Sequence, residues 1–504
     1  MERLNPLDAQ FVDAEDQDRN ASFAIASIAV FEGPAPTYDE FLQAIIRRLP
    51  TVPLYRRKLR TVPLRLGPPV WVDDPNFDIR YHVRQTALPS PGKDEQLSAL
   101  MARVMSQRLD RDYPLWEYWL VLGLSKGRWA LISKIHHCMV DGISGTDLYR
   151  VIFDASPAPA VPPAEQYGET NADGQEGPDG QASTAGQAST VGPDGTAAGV
   201  PAEPAPLELA ARAAADMAML PVRSVRALGE ALANPGEAAR QVSDRARAVA
   251  RLAPAALPAT GSSLLGPIGR QRRYTWARAS LDDVKAVKVA LGGTVNDVVL
   301  AAITGGFRDL LLARGEDPQP HMIPSLVPVS VRAPGEENIY ENRVSALMAY
   351  LPVHLADPVE RLAAVRAELS GLKDSKEALA GETLVALARY TPYPLAMLGV
   401  RLVYSLPQRE IVTVTTNVPG PAFPLYAMGR KLIEIIPYVP IATRLRTGIS
   451  IFSYCGNLTF GVTGDYATTP DLDVLARGIE DNLAALLAAA GQAGHAAPAT
   501  RGRH

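Results

Sequence analysis

Cysteine is nearly absent: the 504-residue chain has two, Cys138 and Cys455. Two thiols cannot build a disulfide framework or a zinc knuckle, and the expectation is a pair of reduced thiols in a cytosolic protein. Histidine is scarce, with seven residues, and lysine supplies nine of the 50 basic side chains. No stretch reaches the roughly 18 uninterrupted apolar residues of a membrane span. Residues 1–8 lack the basic-then-apolar layout of a signal peptide. Any bilayer contact is therefore expected to be peripheral. A strong charge bias is missing too: 50 basic against 54 acidic residues leave −4, which gives no general footprint for nucleic acid.

What is present is a folded chain, 47% hydrophobic and 21% charged, too long for one ordinary core and hence expected to hold two domains. Apolar, β-prone residues over 21–31 predict a strand, and 38–49 an amphipathic helix. A helix is expected over 95–109. Strands are expected over 118–124 and 129–135, joined by a turn at Ser125-Lys126-Gly127. A helix should follow from 143 or 144 to about 153. Composition then shifts abruptly. Residues 157–206 are almost all small, polar or proline, with Gly-Gln-Ala-Ser-Thr twice and Gly-Pro-Asp-Gly twice. Such a stretch has too little apolar surface to offset its ordering entropy and reads as a disordered linker. Helical patterning resumes over 207–252. From 273 strands (323–331, 343–352, 411–417, 431–436, 447–454, 457–465) alternate with helices (281–291, 294–312, 358–375, 470–490), and the tail from 491 is expected to fray.

The most informative stretch is His136-His137-Cys138-Met139-Val140-Asp141-Gly142. It follows a strand and precedes a helix, where a side chain is held rigidly yet reaches solvent. The bland alternative is a pair of core histidines before an Asp-Gly turn. A metal site is disfavoured because adjacent residues on a strand point to opposite faces, and Cys138 alone does not complete a ligand set. A neutral imidazole, with pKa near ~6.5, suits proton abstraction. Parity puts Lys134 and His136 on one face; if Lys134 faces solvent, His137 points elsewhere. Asp141 is expected to stiffen the turn, and Gly142 to supply a positive φ or a close backbone approach.

These residues resemble the bacterial wax ester synthase/diacylglycerol acyltransferase family, within the CoA-dependent acyltransferases whose signature is His-His-x-x-x-Asp-Gly. Asn5-Pro6-Leu7-Asp8-Ala9 with Phe11, Pro114-Leu115-Trp116, Asn296-Asp297, Pro328-Val329-Ser330-Val331-Arg332 and Asn417-Val418-Pro419-Gly420-Pro421 look like further family blocks. The resemblance implies an α/β fold: two chloramphenicol-acetyltransferase-like domains with mixed sheets and flanking helices, joined by a long disordered linker. The divisions expected are 1–156 (carrying the histidine motif), a 157–206 linker, a 207–272 helical connector, 273–490, and a 491–504 disordered tail.

By that resemblance His137 is the general base, His136, Asp141 and Gly142 support the motif, and a tunnel reaches the histidine. Asn296 is a candidate for a polar or oxyanion role; its alternative is a structural hydrogen bond. Pro114, Leu115 and Trp116 wall the tunnel or pack the core. No cofactor and no metal are expected, acyl-CoA being a substrate. The acceptor is diacylglycerol or a long-chain alcohol. Alternatives are polyketide or glycolipid acceptors, a condensation-type enzyme, or a non-catalytic lipid-droplet protein, which the intact motif argues against. The basic clusters Arg47, Arg48, Arg56, Arg57, Lys58, Arg60 and Arg270, Arg272, Arg273, and the basic helices over 223–251, are solvated surface or attach to anionic lipid at the inner membrane face or a lipid droplet.

Overall fold

The computed structural model describes residues 2–140, 152–158, 190–191, 197–198, 203–215, 262–330, 344–374, 411–442 and 444–496. The first half supplies α1 (Pro6–Gln17), β1 (Ala24–Phe31), α2 (Tyr38–Arg48), β2 (Val83–Ala87), α3 (Asp94–Met105), β3 (Trp116–Leu124) and β4 (Arg128–His136). The second supplies β5 (Arg272–Ser280), α4 (Leu281–Leu291), α5 (Val295–Ala313), β6 (Ile323–Ser330), β7 (Val344–Leu351) and α6 (Pro358–Asp374). It continues with β8 (Thr413–Val418), β9 (Tyr426–Ala427), β10 (Arg430–Tyr438), β11 (Thr447–Tyr454), β12 (Asn457–Asp465) and α7 (Leu472–Ala496). No single described helix is long and apolar enough to cross a membrane.

Two six-stranded sheets organise these elements, in the orders β9-β10-β1-β4-β3-β2 and β5-β12-β11-β8-β6-β7. Both are mixed: β2 runs parallel to β3, and β8 runs parallel to β6 and β11. This is the α/β architecture that the resemblance implied. β4 lies inside its sheet between β1 and β3, so its apolar residues are buried from Trp129 to Ile132. On the second sheet α5 is buried along most of its length, and its close approach to α7 runs through glycine. An added Cβ on Gly306 would come 2.9 Å from the carbonyl oxygen of Leu475.

Sequence and space part company at β10. The strand forms, but it pairs antiparallel with β1, Ile436 opposite Ile28, and so completes the sheet of the first half. The break at residue 273 therefore does not separate the two sheets. They meet where β10 crosses β12: the Tyr274 hydroxyl donates to the Pro437 carbonyl at 2.6 Å, and Gly461 faces that same carbonyl.

Helix α7 runs on through Gly491 to Ala496, past the point where fraying was expected. Most of 157–206, and of the 207–272 connector including the basic helices over 223–251, lies outside the described residues, as does most of the helix expected after Gly142. Within them, Leu209 and Ala213 pack on Val62 and on Val70 and Val72 of a small outer sheet.

The first basic cluster is not simply solvated surface. Arg56 and Lys58 are buried, and Lys58 pairs with Asp74 at 3.1 Å and Glu203 at 3.2 Å. Arg57 meets Glu2 and Asp73, Arg60 meets Glu203 and Asp112, and Arg48 meets Asp154. Much of its charge is thus committed to the chain's own carboxylates. In the second cluster Arg272 is buried and donates to the Asn20 carbonyl, while Arg273 lies 4.2 Å over the Tyr466 ring.

Candidate active site

Strand β4 delivers the histidine pair. His136 is its last residue, and a short 3-10 turn over His137–Met139 follows. Backbone bonds pin both positions: His136 N–H donates to the Leu115 carbonyl at 2.9 Å, and His137 N–H to the Phe23 carbonyl at 3.0 Å. The two side chains then diverge. His136 is buried at 2% exposure, whereas His137 is partly exposed.

Both nitrogens of His136 are engaged. Nδ1 accepts the Cys138 N–H at 3.2 Å and lies 2.9 Å from the Cys138 sulfur. Nε2 lies 3.3 Å from Oε1 of Glu15 on α1. Glu15 also accepts the Phe23 N–H at 2.6 Å and meets Arg111 at 3.2 Å. Burial by itself would raise the Glu15 carboxyl; the His136 ring, the Phe23 amide and Arg111 more than offset it and hold the carboxyl at about 2.

His137 has a different neighbourhood. Its ring lies against Phe11 of α1, centroids 4.3 Å apart and tilted by 36°, and Phe11 in turn packs on Phe23 at 5.2 Å. Burial, followed by the carboxylates of Asp8 and Glu15, pushes the Cys138 thiol well above its usual value, so Cys138 stays a thiol and is unsuited to nucleophilic attack.

Lys134 overturns the parity argument. It is fully buried, and its Nζ donates to the carbonyls of Val104, at 2.9 Å, and Gln107, at 2.5 Å, closing the C-terminal end of α3. Burial pulls its amine down to about 8. Both faces of β4 are covered here, so parity does not separate the two histidines; exposure and partners do.

Leu115 and Trp116 lie in the core at 1% and 0% exposure. The Trp116 indole donates to the Tyr55 carbonyl at 2.8 Å and stacks on Tyr55 (4.6 Å) and on His82 (4.5 Å). Pro114 is buried beside them. The segment's direct link to the site is the Leu115 carbonyl that anchors His136.

Asn296 stands in the second half, in the first turn of α5, where its Oδ1 accepts from Nδ2 of Asn417 at the end of β8 (3.3 Å). Its neighbour Asp297 closes a capping box with Thr294: Thr294 N–H donates to Asp297 at 2.7 Å, and Asp297 N–H to the Thr294 hydroxyl at 3.2 Å. The Asn-Asp and Asn-Val-Pro-Gly-Pro blocks are thus brought together. Asp141, Gly142, Val331 and Arg332 lie outside the described residues.

Residues 4–299 match the wax ester synthase/diacylglycerol acyltransferase catalytic domain, and 340–487 match the C-terminal domain of the same enzymes. The chain belongs to that family. It is accordingly an O-acyltransferase. Among its relatives, a Mycobacterium tuberculosis protein named a probable diacylglycerol O-acyltransferase is 39% identical over 488 residues, covering 97% of this chain and 96% of its own. The wax ester synthase/diacylglycerol acyltransferase of Marinobacter aquaeolei superposes with a TM-score of 0.62 at 24% identity, over 97% of this chain and 100% of its own. The first condensation domain of the CDA synthetase shares the fold, with a TM-score of 0.57 at 16% identity over 96% of each chain.

In this O-acyltransferase Glu15 is the polar residue that sequence reading missed. Its signal was the spacing of Asp8, Phe11 and Glu15, which lie on one helical face. The ionised Glu15 makes a testable contribution to stability. Because its folded value, about 2, lies below the usual carboxylate value, the contribution is present above pH ~4.5 and is lost as pH falls from there towards 2. Thermal melts between pH 5 and pH 3 should therefore drop less steeply in Glu15→Gln than in the wild type; parallel curves contradict this.

Proposed function

We propose that the enzyme transfers a long acyl chain from coenzyme A to diacylglycerol, giving triacylglycerol, with long-chain alcohols as a second acceptor, and that His137 is the general base. The observation that carries the reading is the contrast between the two rings: His136 is buried with both nitrogens engaged, while His137 follows it, partly exposed. The name of the mycobacterial relative supports the diacylglycerol acceptor.

His137 takes the proton from the acceptor hydroxyl as its oxygen attacks the thioester carbon. The tetrahedral oxyanion collapses and expels the CoA thiolate, which recovers the proton from the imidazolium. Asn296 is the proposed oxyanion donor. Asn417 occupies its Oδ1 and so orients its amide. Asn296→Ala should lower kcat by ~10²–10³-fold, as removal of one such donor does; a change below about three-fold in the folded variant reduces Asn296 to a structural bond.

The acceptor is tested with purified protein and palmitoyl-CoA, supplied first with diacylglycerol and then with hexadecanol. Triacylglycerol is the expected main product, with a smaller yield of wax ester. No ester from either acceptor overturns the reading and favours polyketide, glycolipid or carrier-bound substrates. Association with the inner membrane face or with lipid droplets is part of the proposal, since both acceptors partition into lipid.

A further inference from the structure

We infer that Glu15 is the positioning residue of the histidine pair: its carboxylate fixes the tautomer of His136, and the face of α1 that carries it sets the ring of His137. The inference rests on His137 being the base and extends that reading to the helix behind it.

Six contacts make the case. Since Nδ1 of His136 accepts the Cys138 amide, the proton of the neutral ring sits on Nε2, the nitrogen 3.3 Å from Glu15. The same Oε1 accepts the Phe23 N–H at 2.6 Å, while the Phe23 carbonyl takes the His137 N–H at 3.0 Å. One residue of the chain thus links the carboxylate to both histidines. Phe11, one turn before Glu15, lies on the His137 ring at 4.3 Å. The Arg108 guanidinium donates to the Glu15 carbonyl at 2.8 Å and anchors this end of α1. The side chains of Glu15 and His136 are 4% and 3% exposed, so water does little to screen the charge.

A buried carboxylate that only filled space would be a costly choice. Here it does what the third member of a catalytic triad does for its base, acting through a neighbouring ring and not on the substrate. The charged and titratable groups gathered around it are His136 and Cys138 on the turn, Arg111 and Arg108 beyond α3, and Asp8 on α1 itself.

The experiment compares Glu15→Gln, Arg111→Gln and His137→Ala by folded fraction, kcat, KM and the pH dependence of kcat/KM. Glu15→Gln should lose about ten-fold in kcat, a fraction of the ~10²–10⁴-fold a positioned base supplies, with KM for both substrates within about two-fold. Its acid limb should move to lower pH, because removing a negative charge disfavours the protonated imidazole. Arg111→Gln, at a partly exposed side chain, should move the limb to higher pH by the same logic. Limbs that stay in place in both variants overturn the inference, as does a loss that follows the folded fraction alone. If Glu15→Gln behaves as wild type while His137→Ala is inactive, this inference alone fails. If His137→Ala keeps full activity, the general-base reading fails first.

Discussion

Replacing His137 with alanine is expected to cut ester formation by ~10²–10⁴-fold or more while leaving the fold in place. The size follows from the step lost: without a positioned base the acceptor hydroxyl must shed its proton to water as it attacks. The fold should survive because backbone bonds that the substitution keeps hold the turn, from the residue-137 N–H to Phe23 and from its carbonyl to Val140. The ring itself is partly exposed, and its removal opens a gap beside Phe11 without orphaning the Glu15 carboxylate. His136→Ala should behave in the opposite way, losing stability first, because it strips a partner from a buried carboxylate. Circular dichroism with an acyl-CoA consumption assay separates the two. A His137→Ala enzyme with rates near wild type removes the base from the proposal.

Gly461→Val is the second large effect, and it concerns assembly. Gly461 on β12 faces the Pro437 carbonyl on β10, and a Cβ built there would collide with that oxygen and come 2.7 Å from the Tyr274 hydroxyl. The obstacle is backbone and cannot rotate away. Either β10 shifts, breaking its register with β1, or the Tyr274–Pro437 hydrogen bond at 2.6 Å is lost. The cost should sit at or above the top of the ~1–3 kcal/mol range for overpacking, seen as a large fall in melting temperature or as insoluble protein. Gly456→Ala is the control: it has open space around it, and only its φ of +83° opposes a side chain. A Gly461→Val protein that melts with the wild type contradicts this account of the sheet junction.

Strand and helix periodicity was legible wherever the buried face is apolar. The helix over Leu281–Leu291 and the strands Thr447–Tyr454 and Asn457–Asp465 stand where the pattern puts them. Helix α1 escaped because its inward face carries Asp8 and Glu15, both 3% exposed, so polarity and burial run opposite to the usual rule. Lys134 misled for the same reason: its charge is stabilised by carbonyls at the end of α3, far away in sequence. The reading of the first basic cluster as surface failed because its partners, Glu2, Asp74, Asp112 and Glu203, are scattered along the chain. The motif residues could be named from sequence, but the carboxylate behind them could not, since only the fold brings residue 15 to residue 136.

The partnership of β10 with β1 has a consequence for synthesis on the ribosome. Seven of the eight residues Ala24–Phe31 are apolar and none is charged, and until residues 430–438 emerge they form an open, sticky rim with unpaired amides and carbonyls. The amino-terminal portion made alone should aggregate through that rim, and supplying the remainder in trans should rescue it. Nascent chains of this enzyme stay vulnerable until that strand has emerged.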